Sequence, residues 1–330
     1  PGEAARRRCL PDTFRDPVLD RAAIDYDLFL SDLCAGNLLE WCRIVKEATG
    51  GRRLTGAFYG YLLWQTGYAA ALAANAHLAL RRLLEAPEID FVTGIVSYDN
   101  RGSGEPGSFM LPVEAVQAAG KLHYSEVDLR THLTSVPHSR QYEAPPEGLQ
   151  NTWALEDAAQ SVAVYRREFA HQLVHGSAWW NFDMAGGWYS CPELLEEFKL
   201  QSRVADQARD WDMSSVAEVT GVVSGISPAY HRHAREQDVV GLEWANLRCD
   251  RSTENLYRAG FPVDWWMTED LGREALRRYK VLYFHNAEYL TPQEREWVES
   301  LKGEGRTLIF LSLAGAVSPH GLSAESASSL

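Results

Sequence analysis

The strongest constraint on this fold is a repeated unit: four times between residues 20 and 211 a helical pattern is followed by a short strand pattern. Helices are predicted over 20–49, 69–84, 112–119, 155–175 and 194–211. Strands are predicted over 54–62, 89–98, from Gly120 onward, and over 176–184. The marks are physical: apolar residues recur at helical spacing (Leu38, Trp41, Val45; Ala158, Val162, Tyr165, Phe169, Leu173), with Gly50-Gly51 as a stop. The 89–98 strand is apolar and β-branched, as a strand buried on both faces must be.

Each strand pattern runs into aromatic and polar residues: Phe58-Tyr59-Gly60-Tyr61, Tyr98-Asp99-Asn100-Arg101, Glu126-Val127-Asp128, and Trp179-Trp180-Asn181-Phe182-Asp183. Parallel strands bring their carboxyl ends together, so four similar endings imply one shared pocket. The stretch Gly120–Leu133, read with period two, sets Glu126, Asp128, Arg130 and His132 on one side and Val127, Leu129, Thr131 and Leu133 on the other. A water-facing strand would show the same alternation. The order matches four units of a (β/α)8 barrel. A doubly wound sheet gives the same alternation, but no Gly-rich phosphate turn follows an early strand; Gly102-Ser103-Gly104 is a weak match.

The segment Pro137–Asn151 reads as a long loop. After about Asp212 a smaller α/β unit is expected. Its clearest part is a βαβ from Tyr279 to Phe310, with Thr291 as N-cap, Pro292 first in the helix and Gly303 as stop. The ends, 1–19 and from Gly315, read as tails or cut ends. The turn after Val281–Phe284 carries His285, Asn286 and Ala287, with no cysteine for an amidotransferase elbow, so this unit is expected to be noncatalytic.

The net charge of -13 argues against a nucleic-acid or anionic-membrane partner and suits a neutral or cationic ligand. Five scattered cysteines indicate neither a disulfide framework nor a zinc knuckle. No apolar run is long enough to span a bilayer, so a soluble chain of undetermined compartment is expected. His123, His132 and His175 have no metal spacing and read as structural, and no cofactor is expected.

In the order of Gly120-Lys121-Leu122-His123-Tyr124-Ser125-Glu126, Arg130-Thr131-His132-Leu133, His175 to Met184 with Gly187-Trp188-Tyr189, and Tyr257 to Asp264, the chain resembles the carboxyl-terminal part of a family 42 glycoside hydrolase. That resemblance, over nearly all of residues 20–313, implies the last four units of a catalytic TIM barrel (20–211). A flavodoxin-like or amidotransferase-like trimerisation domain (212–330) would follow. It also implies a retaining β-galactosidase with Glu126 as nucleophile, a β-galactoside or related oligosaccharide as substrate, and a homo-oligomer, a trimer by that likeness.

The family's general acid/base follows an Asn on the fourth strand, and no Asn-Glu pair precedes Asp20. The expectation is therefore a chain that lacks the first half of the barrel and does not by itself hydrolyse β-galactosides measurably. The alternative is a noncatalytic sugar-binding or assembly protein. Retaining chemistry needs an ionised carboxylate and a carboxylic acid about 5–5.5 Å apart; Arg130 or Lys121 is expected to hold Glu126 charged. Asp128 would orient Arg130 or bind a hydroxyl, and Asp99 or Asp183 would contact hydroxyls or substitute for the acid. Tyr59, Tyr98, Trp180 and Trp188 would stack on sugar rings. An open half barrel would also expose inward residues, Val92 and Ile95 among them, and so associate.

Overall fold

The computed structural model describes residues 14–63, 72–73, 75–98, 100–134, 155–183, 186–231, 253–311, 313–323 and 326. The expected loop at Pro137–Asn151, and the expected element at Val239–Leu247, lie outside them.

The first half runs α1 (Arg21–Thr49), β1 (Gly56–Phe58), α2 (Leu80–Glu85), β2 (Phe91–Ile95), α3 (Val113–Ala118), β3 (Leu122–Val127), α4 (Ala158–Val174), β4 (Ala178–Asn181) and α5 (Pro192–Ala208). The four strands lie in sequence order and every pair is parallel. This is a mixed α/β chain whose first sheet has the strand order of a barrel segment. The strands are shorter than the sequence implies, because pairing ends where the chain turns into loops.

In the register, Ile95, Glu126 and Trp180 form one row, with Thr93, Tyr124 and Ala178 in the next row of that face. On β3 this face is the more open one, while His123, Ser125 and Val127 are buried. Phe58 on β1 and Trp180 on β4 sit with ring centroids 6.1 Å apart, although a flat sheet would set strands three places apart at about 14 Å. The sheet is therefore curled, and its concave face carries Phe58, Tyr124 and Trp180 in contact, the last two 4.5 Å apart. Val92 does not belong to that face. It is fully buried on the opposite side, since it differs by an odd number of residues from Ile95.

One helix and the start of the chain depart from expectation. The 69–84 helix is not continuous in its described part: Ala76 adopts a left-handed conformation (φ 63°) and the His77 N–H returns to the Leu72 carbonyl at 3.1 Å. Only Leu80–Glu85 resumes as helix. At the start, the chain is packed from Phe14 onward. Phe14 is 2% exposed, and Arg15 pairs with Asp27 at 2.5 Å, both buried.

The second sheet contains β5 (Val219–Val223), β6 (Val263–Met267), β7 (Val281–Phe284) and β8 (Thr307–Phe310), all parallel in the order β6-β5-β7-β8. Between β7 and β8 lies α6 (Pro292–Leu301). Its start is the expected one: the Thr291 hydroxyl accepts from the Glu294 N–H while Glu294 reaches back to the Thr291 N–H. Past Gly315 the chain forms a short antiparallel pair, β9 (Val317–Ser318) with β10 (Gly321–Leu322), and Val317 is fully buried, so this stretch is packed structure and not a loose tail.

One hydrophobic cluster joins the two halves, with Tyr59, Leu62, Leu80, Val92, Leu111 and Val116 packed in the same core as Val222, Trp265, Met267 and Phe284. Trp265 lies over Gly221, where a Cβ would meet its ring at 2.3 Å. No described helix is long and apolar enough to cross a membrane.

Candidate active site

Glu126 stands next to the last residue of β3, on the concave face between Ile95 and Trp180. It is half-buried. Burial first, and the Asp128 charge second, push its carboxyl up from 4.5 to about 7. Among the described residues no hydrogen bond or cation offsets this. The expected cationic support is not there in the case of Lys121, whose ammonium donates to the Ala86 and Ile89 carbonyls at 2.8 Å each and so ties down the loop between α2 and β2.

Asp128 lies beyond the end of the strand, so the period-two reading of Gly120–Leu133 fails there. The chain after Val127 is no longer extended in a ladder, and Asp128, Leu129 and Arg130 are all buried. The partner of Asp128 is Arg101, at 3.0 Å, with both side chains at most 5% exposed. Arg101 also donates to the Val96 and Ser97 carbonyls at 2.6 and 2.9 Å and lies 4.5 Å over the Tyr98 ring. One guanidinium thus ties the end of β2 to the end of β3. Arg167 on α4 holds the following loop, donating to the carbonyls of Arg101, Gly102 and Glu105.

Tyr61 and Tyr189 lie within electrostatic reach of the carboxylates. Burial, then the charges of Tyr98, Glu126 and Asp128, raise the Tyr61 hydroxyl above its ordinary range. Tyr189 is raised likewise by burial and by Asp183, Asp128 and Glu126, and it meets the Tyr165 hydroxyl at 3.3 Å. Tyr61 and Tyr189 were absent from the sequence-derived site set, although Tyr61 closes one of the aromatic strand endings and Tyr189 follows Gly187-Trp188 in the turn after another. Glu126, Asp128, Tyr98 and Asp183 therefore share one electrostatic neighbourhood with Tyr61 and Tyr189, and Trp180 stands beside Glu126 in the register.

Other candidates lie elsewhere. Tyr59 is 1% exposed, stacks on His77, donates to the Ser31 carbonyl and accepts from the Ala79 N–H, both at 3.1 Å, so it offers no free face. Trp188 is 3% exposed, and its backbone N–H donates to Asp183 at 3.0 Å. Asp183 also accepts from the Gly186 N–H at 2.6 Å, so both its oxygens shape the turn after β4. Asp99 lies outside the described residues. His123, His132 and His175 hydrogen-bond to Ser177, Ser161 and Glu114 respectively.

The sole trio of described residues with donor atoms close enough for a cation is Glu114, His175 and Asp264, within 4.8 Å of one another. Both Glu114 oxygens and both Asp264 oxygens already accept hydrogen bonds from protein groups, which marks a hydrogen-bonded cluster and not a vacant coordination shell. In the second sheet, the crevice between β5 and β7, where doubly wound sheets hold ligands, is filled. Asn286 bonds both ways to the Ser224 backbone, and the Leu78 carbonyl lies 2.9 Å from where a Gly225 Cβ would stand.

No protein-family model matches the chain, and no curated protein does. Among solved structures it is similar to Gan42B, a GH42 beta-galactosidase, at 13% identity and a TM-score of 0.41 over 88% of this chain. The chain spans 43% of the length of that enzyme.

Proposed function

We propose that the chain carries one wall of a retaining glycoside hydrolase site of β-galactosidase type, with Glu126 as the carboxylate that attacks the anomeric carbon. One observation carries this reading. Glu126 is a half-buried carboxylate beside a second one at a strand carboxyl end, with its pKa lifted to about 7 and Trp180 next to it in the register. Perturbation by burial and a like charge in an aromatic-lined concavity favours a working carboxylate.

In this reading Trp180 and Tyr98 offer apolar faces to a pyranose, Tyr61 and Tyr189 offer hydroxyls, and Arg101 holds Asp128 in place. Only the ionised form of Glu126 attacks, so the reactive fraction grows as pH rises through about 7. The second unit acts as a noncatalytic, flavodoxin-like assembly domain. Its filled crevice favours that role.

A second reading, a noncatalytic sugar-binding protein, is favoured by the occupation of Asp128 by Arg101 and of Asp183 by two backbone N–H groups, which leaves neither free as an acid. Turnover of an aryl β-galactoside and of lactose separates the two. The phenolate leaves without acid help and lactose does not. A Glu126-dependent release of phenol with no cleavage of lactose supports the glycosidase reading. Binding of galactosides with no release supports the other.

A further inference from the structure

We propose that Glu114, His175 and Asp264 form a proton-operated clamp between the helical layer of the first sheet and the strand β6 of the second. The three belong to different parts of the chain: Glu114 to α3, His175 to the end of α4, Asp264 to β6. His175 Nδ1 lies 2.6 Å from one Glu114 oxygen, and the other accepts the backbone N–H of Trp265 at 2.6 Å. Asp264 is nearly inaccessible and is fixed by the Ser215 hydroxyl at 2.7 and 2.9 Å, the Tyr279 hydroxyl at 2.6 Å and Arg278 at 3.0 Å. An imidazolium facing two fixed carboxylates pulls these elements together more strongly than a neutral imidazole, which keeps at most the Nδ1–H hydrogen bond to Glu114.

The other groups around it support a single proton. His123 on β3 is driven down to about 3 by burial and by His175. His171 on α4 is lowered by burial and, more weakly, by His175, against an opposing pull from Glu168. Tyr257, whose hydroxyl accepts from the Trp265 indole at 2.9 Å, is buried and raised, and so stays neutral. For His175 burial acts downward, yet the Glu114 hydrogen bond and the Glu114 and Asp264 charges carry it above 6.5. A raised histidine contributes its stabilisation in full below 6.5 and loses it as pH rises through the folded-state value. The clamp is thus closed below 6.5 and relaxes as pH rises through the folded-state value above it.

The test is a histidine ¹³C NMR titration of the whole chain, with hydrogen exchange at residues 263–267 followed over the same pH range and corrected for intrinsic rates. The expected results are one histidine titrating above 6.5, a lower midpoint in Glu114→Gln, and exchange at 263–267 that rises through the wild-type midpoint. In His175→Asn the resonance and the pH step both vanish. If that variant does not fold, the wild type and Glu114→Gln decide. A His175 midpoint at or below 6.5, or exchange at 263–267 that ignores it, overturns the clamp. So does one equivalent of zinc bound by wild type and not by Glu114→Gln, which would make the cluster a metal site.

Discussion

Replacing Glu126 by Gln should make the protein more stable, and only above mildly acidic pH. The folded state raises this carboxyl from 4.5 to about 7, so between those values the folded chain holds a proton that the unfolded chain has lost. Stability then falls as pH rises, and the full cost is present above about 7. For an enclosed group the shift would correspond to about 3 kcal/mol. Glu126 is only half-buried, and solvent screening reduces this to about 1–2 kcal/mol. Gln keeps the shape and removes the charge. Urea unfolding at pH 8 should therefore show Glu126→Gln more stable than wild type by about 1–2 kcal/mol, with the difference vanishing near pH 4.5. Such a gain is what a residue kept for function and not for folding gives when removed. A variant that is less stable at pH 8, or one whose difference from wild type does not change with pH, would refute the electrostatic argument.

Arg101→Met should cost about 3–5 kcal/mol at neutral pH, because it leaves Asp128 buried without its cation, and Arg101→Met with Asp128→Asn should recover part of that in the same unfolding assay. Gly221→Ala should destabilise by about 1–3 kcal/mol, since the added methyl meets the Trp265 ring; thermal unfolding measures it. Tyr59→Phe should lose about 1–2 kcal/mol through the Ser31 and Ala79 hydrogen bonds and leave galactoside affinity unchanged by calorimetry. Trp180→Ala should do the opposite, weakening affinity with little loss of stability.

Much of the fold was readable because alternating helix and strand patterns leave few topologies: right-handed crossovers make successive strands parallel neighbours, as β1 to β4 are. The capping box at Thr291 was readable because its chemistry is local. The place where a strand stops is not local. Period two carried the reading past Val127 and put Asp128 and Arg130 on the open side, whereas the ladder ends there and both are buried. The partner of Asp128 is 27 positions away at Arg101, with no spacing rule to announce it. Tyr59 and Tyr61 look alike in sequence. One is locked between Ser31 and Ala79, and the other lies within reach of the Glu126 charge. The direction of the Glu126 shift was also hidden, since it comes from burial and from the Asp128 charge, while Lys121, a cation close to it in sequence, reaches the Ala86 and Ile89 carbonyls instead.

The most direct test of the central claim is covalent trapping. A 2-deoxy-2-fluoro-β-galactoside with a dinitrophenolate leaving group glycosylates a nucleophile without an acid and releases it slowly. The account predicts one equivalent of adduct by intact mass, on the peptide containing Glu126, formed faster as pH rises through about 7 and absent from Glu126→Gln. Adduct on another carboxylate, Asp183 for example, or none in wild type at any pH between 5 and 9, would contradict it.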